Sequence, residues 1–167
     1  MQCRIAITTE CNLNCKYCCM KDPTVFSSFR ECVDIKDIPD LHKYESFAIT
    51  GGEPLTDPIL TVLIADALKN YPGKKFLYTN GTLADENFLP LIARAYDGIN
   101  IGLHPETKKL KQSEILNINS YIPVRLLICE DSANTEFFEF VKKYNIAYRL
   151  WKINDCENQN EDRFILS

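Results

Sequence analysis

Three thiols fall in one short segment near the start of the chain, Cys11-Asn12-Leu13-Asn14-Cys15-Lys16-Tyr17-Cys18, directly after a strand-like apolar run. A structural zinc or a plain electron-transfer iron-sulfur cluster takes four protein ligands, so three thiols are one short of a closed site. A 4Fe-4S cluster held by three thiolates keeps one iron open, where a small molecule can bind and react. Cys11, Cys15 and Cys18 lie close enough to wrap one cluster from a single loop, and Tyr17 gives that loop a flat apolar face. The competing reading is a zinc-binding or ferredoxin-like module in which a fourth residue such as Cys32 completes the set.

Further chemistry-bearing groups sit at the ends of later apolar runs. Thr50-Gly51-Gly52-Glu53-Pro54-Leu55 pairs two glycines, which let backbone approach a ligand closely, with a carboxylate. Tyr78-Thr79-Asn80-Gly81-Thr82 reads on its own as an Asn-Gly turn. Ile101-Gly102-Leu103-His104-Pro105 offers space at Gly102 and, at His104, a hydrogen-bond donor or proton carrier; a histidine that caps a strand fits equally. Arg125 carries a fork suited to a carboxylate, with an outward salt bridge as its alternative. Cys129 and Cys156 follow the fifth and sixth apolar runs, as hydrogen-atom donors, ligands of a second cluster, or packed thiols. Cys3, Cys19 and Cys32 read as packed thiols.

The elements that must position these groups alternate. Short apolar, β-branched runs at 3–8, 46–50, 75–79, 98–103, 124–128 and 148–153 predict six strands. Helical patterns between them cover 58–70, 86–95, 106–117 and 134–144, with Pro58 suited to a first turn and Asn134 to an N-cap. Strand-helix alternation implies right-handed β/α units on a parallel sheet. Six units in 167 residues are too few for a closed eight-stranded barrel, so the expected fold class is α/β, a partial (β/α)6 TIM-like barrel open on one side. Ligands of such sheets collect at the C-terminal strand ends, where every group above falls. Residues 1–167 read as one domain, with the cysteine loop at 9–20, an irregular segment at 21–44 that could form a lid, and a loosely held tail at 155–167 with a small apolar anchor at Phe164-Ile165-Leu166.

Composition narrows the class. Apolar residues make up 46%, enough for a core, and no run reaches the roughly 18 apolar residues that a membrane helix needs. The N-terminus lacks a secretory layout, so eight cysteines suit metal-bound thiols in a reducing, cytoplasmic setting better than a disulfide framework. A net charge of -4 does not indicate nucleic-acid binding, and Lys108, Lys109 and Lys111 read as the solvated face of a helix.

Taken together, the three-cysteine loop and the Gly51-Gly52-Glu53-Pro54 segment closely resemble the signature of the radical S-adenosylmethionine (radical SAM) superfamily. Thr79-Asn80-Gly81 resembles its molybdenum-cofactor cyclase branch, without that branch's C-terminal domain. The resemblance implies a 4Fe-4S cluster on Cys11, Cys15 and Cys18 and S-adenosyl-L-methionine on the open iron. It further implies an electron donor of flavodoxin or ferredoxin type, and reductive cleavage to methionine and a 5'-deoxyadenosyl radical that takes hydrogen from a substrate. Implied SAM contacts are Tyr17, Gly51, Gly52, Glu53, Pro54, Thr79, Asn80, Gly102 and Arg125. The branch carries serine where Gly102 stands and an acidic residue where His104 stands. Peptide or protein modification and small-molecule or nucleotide tailoring are both open, as is activation of a glycyl-radical enzyme, although short activases usually carry Gly-Gly-Asp. The short chain suggests a minimal enzyme whose open side is closed by a partner or macromolecular substrate.

Overall fold

The structure is a computed structural model that describes residues 1–16, 18–103, 110–130, 133–151 and 161–166. Eight strands form one parallel sheet: β1 (Gln2–Ala6), β2 (Arg30–Cys32), β3 (Ser46–Thr50), β4 (Lys74–Thr79), β5 (Gly98–Leu103), β6 (Val124–Cys129), β7 (Ala147–Trp151) and β8 (Glu161–Leu166). Their order is β2-β8-β1-β3-β4-β5-β6-β7, so the sheet is open rather than a closed barrel. The six expected strands stand side by side in chain order from β1 to β7. The two additions join at the β1 edge.

Those additions correct the sequence reading. The final segment, expected as a loose tail, places Glu161–Leu166 between β2 and β1, with Phe164 1% exposed. Its short polar-rich run gave no period-2 signal strong enough to mark a strand; pairing on both sides supplies what propensity does not. The irregular segment 21–44 contains β2, and it buries Ile35, Ile38, Leu41 and Tyr44 in the core. Only its first part, with the short helix α1 (Pro23–Phe26), remains outside that core apart from Val25.

The other helices are α2 (Pro58–Ala67), α3 (Leu89–Ala95), α4 (Gln112–Tyr121) and α5 (Thr135–Lys143). Local chemistry sets their ends. Asp57 accepts from Leu60 N at 2.9 Å with Pro58 in the first turn of α2, and Asn134 accepts from Phe137 N at 2.9 Å at the start of α5. After α5, Asn145 turns left-handed (φ 51°) and Ile146 N returns to Val141 O at 2.9 Å, which closes the helix.

Alternation along the strands separates two faces. Ile5, Phe47, Ile49, Leu77, Ile99, Ile101, Leu126 and Phe164 point toward the helices and form the core with Ile64, Leu68, Leu89, Ile92, Ile118 and Phe140. Each fully buried side chain of this size contributes about 1.5–3 kcal/mol. The opposite, open face carries Arg4, Tyr78, Asn100, Arg125, Arg149 and Arg163, and none of its residues belongs to the core cluster. No helix among the described residues is long and apolar enough to cross a membrane.

Candidate active site

The cysteine loop leaves the C-terminal end of β1 and is held against the loop after β3 by backbone pairing that outruns both strands. Ile7 N donates to Thr50 O at 2.9 Å, Gly52 N to Thr8 O at 2.7 Å, and Glu53 N to Glu10 O at 2.7 Å. The pairing stops one residue short of Cys11. It also explains the two glycines. A Cβ on Gly51, whose φ is +143°, would lie 2.3 Å from Thr8 O, and one on Gly52 would lie 2.0 Å from Glu10 O. Their backbone freedom therefore serves a protein contact: it seats the cysteine loop.

Glu53, one of the implied SAM contacts, is 1% exposed, and its carboxylate is bonded within the protein. Its Oε1 accepts from Thr79 Oγ1 at 2.6 Å and from Leu55 N at 3.0 Å, and its Oε2 accepts from Asn80 N at 2.7 Å. The physical reason is local: Glu53 caps the 3-10 turn Pro54–Thr56, which folds its side chain inward. Burial pushes the Glu53 carboxyl above its ordinary value, while the bonds from Asn80, Thr79 and Leu55 pull it down. Pro54 is buried in the same turn, and its carbonyl accepts from the buried Thr61 hydroxyl at 2.7 Å.

Asn80 completes a bridge between loops. Its Nδ2 donates to Asn12 Oδ1 at 2.9 Å, and its Oδ1 accepts from Thr82 N at 2.9 Å and Thr82 Oγ1 at 2.6 Å. Asn12 Nδ2 in turn donates to Thr82 Oγ1 at 2.9 Å. Asn12 and Thr82 carried no expectation from the sequence. The signal that could have found them is an amide inside the cysteine loop matched by an Asn-Gly-Thr turn at a neighbouring strand end. Within the loop, Lys21 Nζ donates to Asn14 Oδ1 and Leu13 N to Cys11 Sγ at 3.4 Å.

Cys11 is exposed, and Cys15 and Cys18 are half-buried; none is in a disulfide. Among the described residues no three His, Cys, Asp or Glu side chains stand close enough to hold a single metal ion. The donor set nonetheless fits a cluster with one open iron: Cys11, Cys15 and Cys18 are three thiols on one partly exposed loop, one short of the four that a closed site takes. Cys32, the fourth ligand of the zinc alternative, lies in β2 within the hydrophobic core. Burial raises its thiol above the ordinary value, and it pushes Cys3 up to about 12.

Of the remaining expected residues, Gly102 is half-buried near the end of β5, and Cys129 is 4% exposed at the end of β6. Arg125 is the second residue of β6, four before Cys129, in register with Asn100 on the open face. No hydrogen bond or ion pair joins it to the other site residues among the described residues. Tyr17, His104 and Cys156 lie outside the described residues.

Comparison with known proteins fits this geometry. Residues 5–107 match the Radical SAM superfamily. A GTP 3',8-cyclase of Chlorobaculum tepidum is 33% identical over 105 residues, covering 60% of this chain and 32% of that protein. A 7-carboxy-7-deazaguanine synthase of Methanothermobacter thermautotrophicus is 38% identical over 81 residues, 44% of this chain and 30% of that protein. The chain thus spans about a third of the length of these curated relatives. In fold it is similar to Streptococcus suis SuiB bound to S-adenosylmethionine, with a TM-score of 0.68 and 17% identity over 95% of this chain and 40% of that one. It is also similar to anSMEcpe with bound AdoMet and Kp18Cys peptide, with a TM-score of 0.63 and 16% identity over 92% and 51%. The match spans β1, the cysteine loop, the glycine pair and the Asn80 turn, the elements that the hydrogen bonds join, and this chain belongs to the radical SAM superfamily.

Proposed function

We propose that Cys11, Cys15 and Cys18 hold a 4Fe-4S cluster whose open iron binds S-adenosyl-L-methionine, and that the chain uses the resulting radical on a peptide or protein. When bound and reduced, the cluster supplies one electron that splits SAM into methionine and a 5'-deoxyadenosyl radical able to abstract hydrogen. The chain's own residues then position and enclose. The backbone at Gly51 and Gly52, brought up beside Thr8–Glu10, forms the floor for the amino end of methionine. Glu53 acts through other groups: it locks the Thr79-Asn80 turn to the glycine loop. Asn80, with Asn12, sets the height of the cysteine loop above the sheet. Tyr17 is assigned to the adenine side and Gly102 to the space for ribose. A one-electron donor of flavodoxin or ferredoxin type serves the exposed Cys11 side of the loop.

The observation that carries this reading is the interlock of three strand-end loops, after β1, β3 and β4, through Glu53, Asn80 and Asn12. A peptide substrate is supported by the fold likeness to SuiB bound to precursor peptide SuiA and to peptide-bound anSMEcpe, which covers 92% of the chain in each case. A nucleotide substrate is the second reading, favoured by the GTP 3',8-cyclase relatives. Anaerobic reconstitution with iron and sulfide, then dithionite and SAM, tests the shared part. The expected result is a broad absorption shoulder near ~400 nm and equal amounts of 5'-deoxyadenosine and methionine. Absence of both products from a fully iron-loaded sample would sink the reading.

A further inference from the structure

The open face of the sheet is positively charged in a chain whose net charge is -4. Arg4, Arg125, Arg149 and Arg163 alternate onto it, against the carboxylates of Glu31 and Glu161. Glu161 is engaged already: its Oε1 accepts from Arg4 Nε and from Arg163 Nε, each at 3.0 Å, and one carboxylate neutralises only one of the two guanidiniums. Arg4 lies with its guanidinium 5.0 Å from the centre of the Tyr78 ring, and its terminal nitrogens donate to no protein acceptor among the described residues. Arg125 and Arg149 are exposed and make no ion pair among the described residues. Two exposed arginines with no carboxylate beside them among the described residues, and the unengaged end of Arg4, on the face opposite the main core cluster, are what an anionic partner would neutralise.

Their spread selects the kind of partner. From β1 with Arg4 to β7 with Arg149 the sheet takes five strand-to-strand steps, which at roughly 4.8 Å each is roughly 24 Å along the surface. An extended peptide covers that with about seven residues at roughly 3.3 Å each, whereas the phosphates of one nucleotide meet only neighbouring strands. We propose that the open face receives an acidic peptide, with its carboxylates on Arg125, Arg149 and the free end of Arg4. The proposal rests on the peptide reading above and names its charge. It reassigns Arg125 from the SAM carboxylate to the substrate.

The test is fluorescence anisotropy on the reconstituted full chain. The probe is a labelled peptide of about twelve residues rich in Asp and Glu, longer than the span, compared with its Asn/Gln counterpart. The acidic probe is expected to bind about tenfold tighter, and to weaken several-fold as salt rises from about 50 mM to about 300 mM. The double variant Arg125→Ala, Arg149→Ala is expected to lose about tenfold in affinity, with thermal melting showing that it is folded. Equal binding of the two probes, a salt-independent signal, or unchanged affinity in the folded double variant would overturn the proposal. So would GTP binding more tightly than the acidic probe, which would favour a nucleotide. Formation of 5'-deoxyadenosine by the wild-type chain without peptide is measured alongside. If it forms while the acidic probe fails to bind, this proposal falls and the radical reading stands.

Discussion

The side-chain amide of Asn80 donates to Asn12 Oδ1 at 2.9 Å across 68 residues of chain, and so ties the turn after β4 to the interior of the cysteine loop. An amide pair at a partly exposed site is worth about 0.5–1.5 kcal/mol, enough to bias a loop between arrangements without deciding whether the domain folds. Asn12→Ala and Asn80→Ala are therefore expected to lower melting only slightly. Both should release iron several-fold faster under a chelator. Iron content followed over time checks this, and release at the wild-type rate would remove Asn80 from loop positioning.

Glycine at position 52 leaves no room for a methyl group, because a Cβ would stand 2.0 Å from Glu10 O. Gly52→Ala is expected to cost about 2–3 kcal/mol through forced backbone displacement. It should also loosen the ladder that seats the cysteine loop. Denaturant unfolding measures the first effect, and the iron-to-protein ratio after reconstitution the second.

Glu53 makes stability depend on pH in a stated direction. Burial raises its folded carboxyl above the unfolded value, so its contribution is fully present below the ordinary glutamate range and is lost as pH rises through the folded value. Glu53→Gln keeps an oxygen for Thr79 and Leu55 but sets an amide against Asn80 N, a loss of about 1–3 kcal/mol. The gap in stability between wild type and variant should be wider near pH 5 than near pH 8. Unfolding curves at both values decide it, and a gap that grows with pH would contradict the burial argument.

On the far side of the sheet, Cys3 is pushed up to about 12, first by burial and then by Asp162. The Tyr44 phenol, which donates to Asp162 Oδ2 at 2.6 Å, is also raised, again chiefly by burial. Both groups are neutral when folded, so the stability they lend is present below their ordinary values and is lost as pH climbs through the raised ones. Tyr44→Phe should flatten the alkaline limb of a melting-temperature profile while costing about 1 kcal/mol at neutral pH.

The cysteines separate by role. Cys15→Ala is expected to abolish the cluster absorption, whereas Cys32→Ala should retain it and lose about 1–2 kcal/mol from the core. Iron analysis and melting on the two variants provide the check, and a zinc ion lost on changing Cys32 would reverse the assignment.

Local signals in the chain carried the family and six of the strands: cysteine spacing, the glycine pair, and short apolar, β-branched runs alternating with helical patterns. The N-cap at Asn134 was legible for the same reason. Other features became visible only in the folded chain. The strand Glu161–Leu166 exists because β1 and β2 flank it, and the core half of residues 21–44 exists because the sheet edge there needs covering. What the glycine pair and Glu53 touch within the protein was not legible, since sequence reports residue type but not the direction of a side chain. Tertiary structure turned them toward Thr8, Glu10, Thr79 and Asn80, because a buried carboxylate must be hydrogen-bonded and a loop carrying three thiols must be held from its neighbours. The positive open face arises the same way: four arginines far apart in sequence share a surface only through the register of parallel strands.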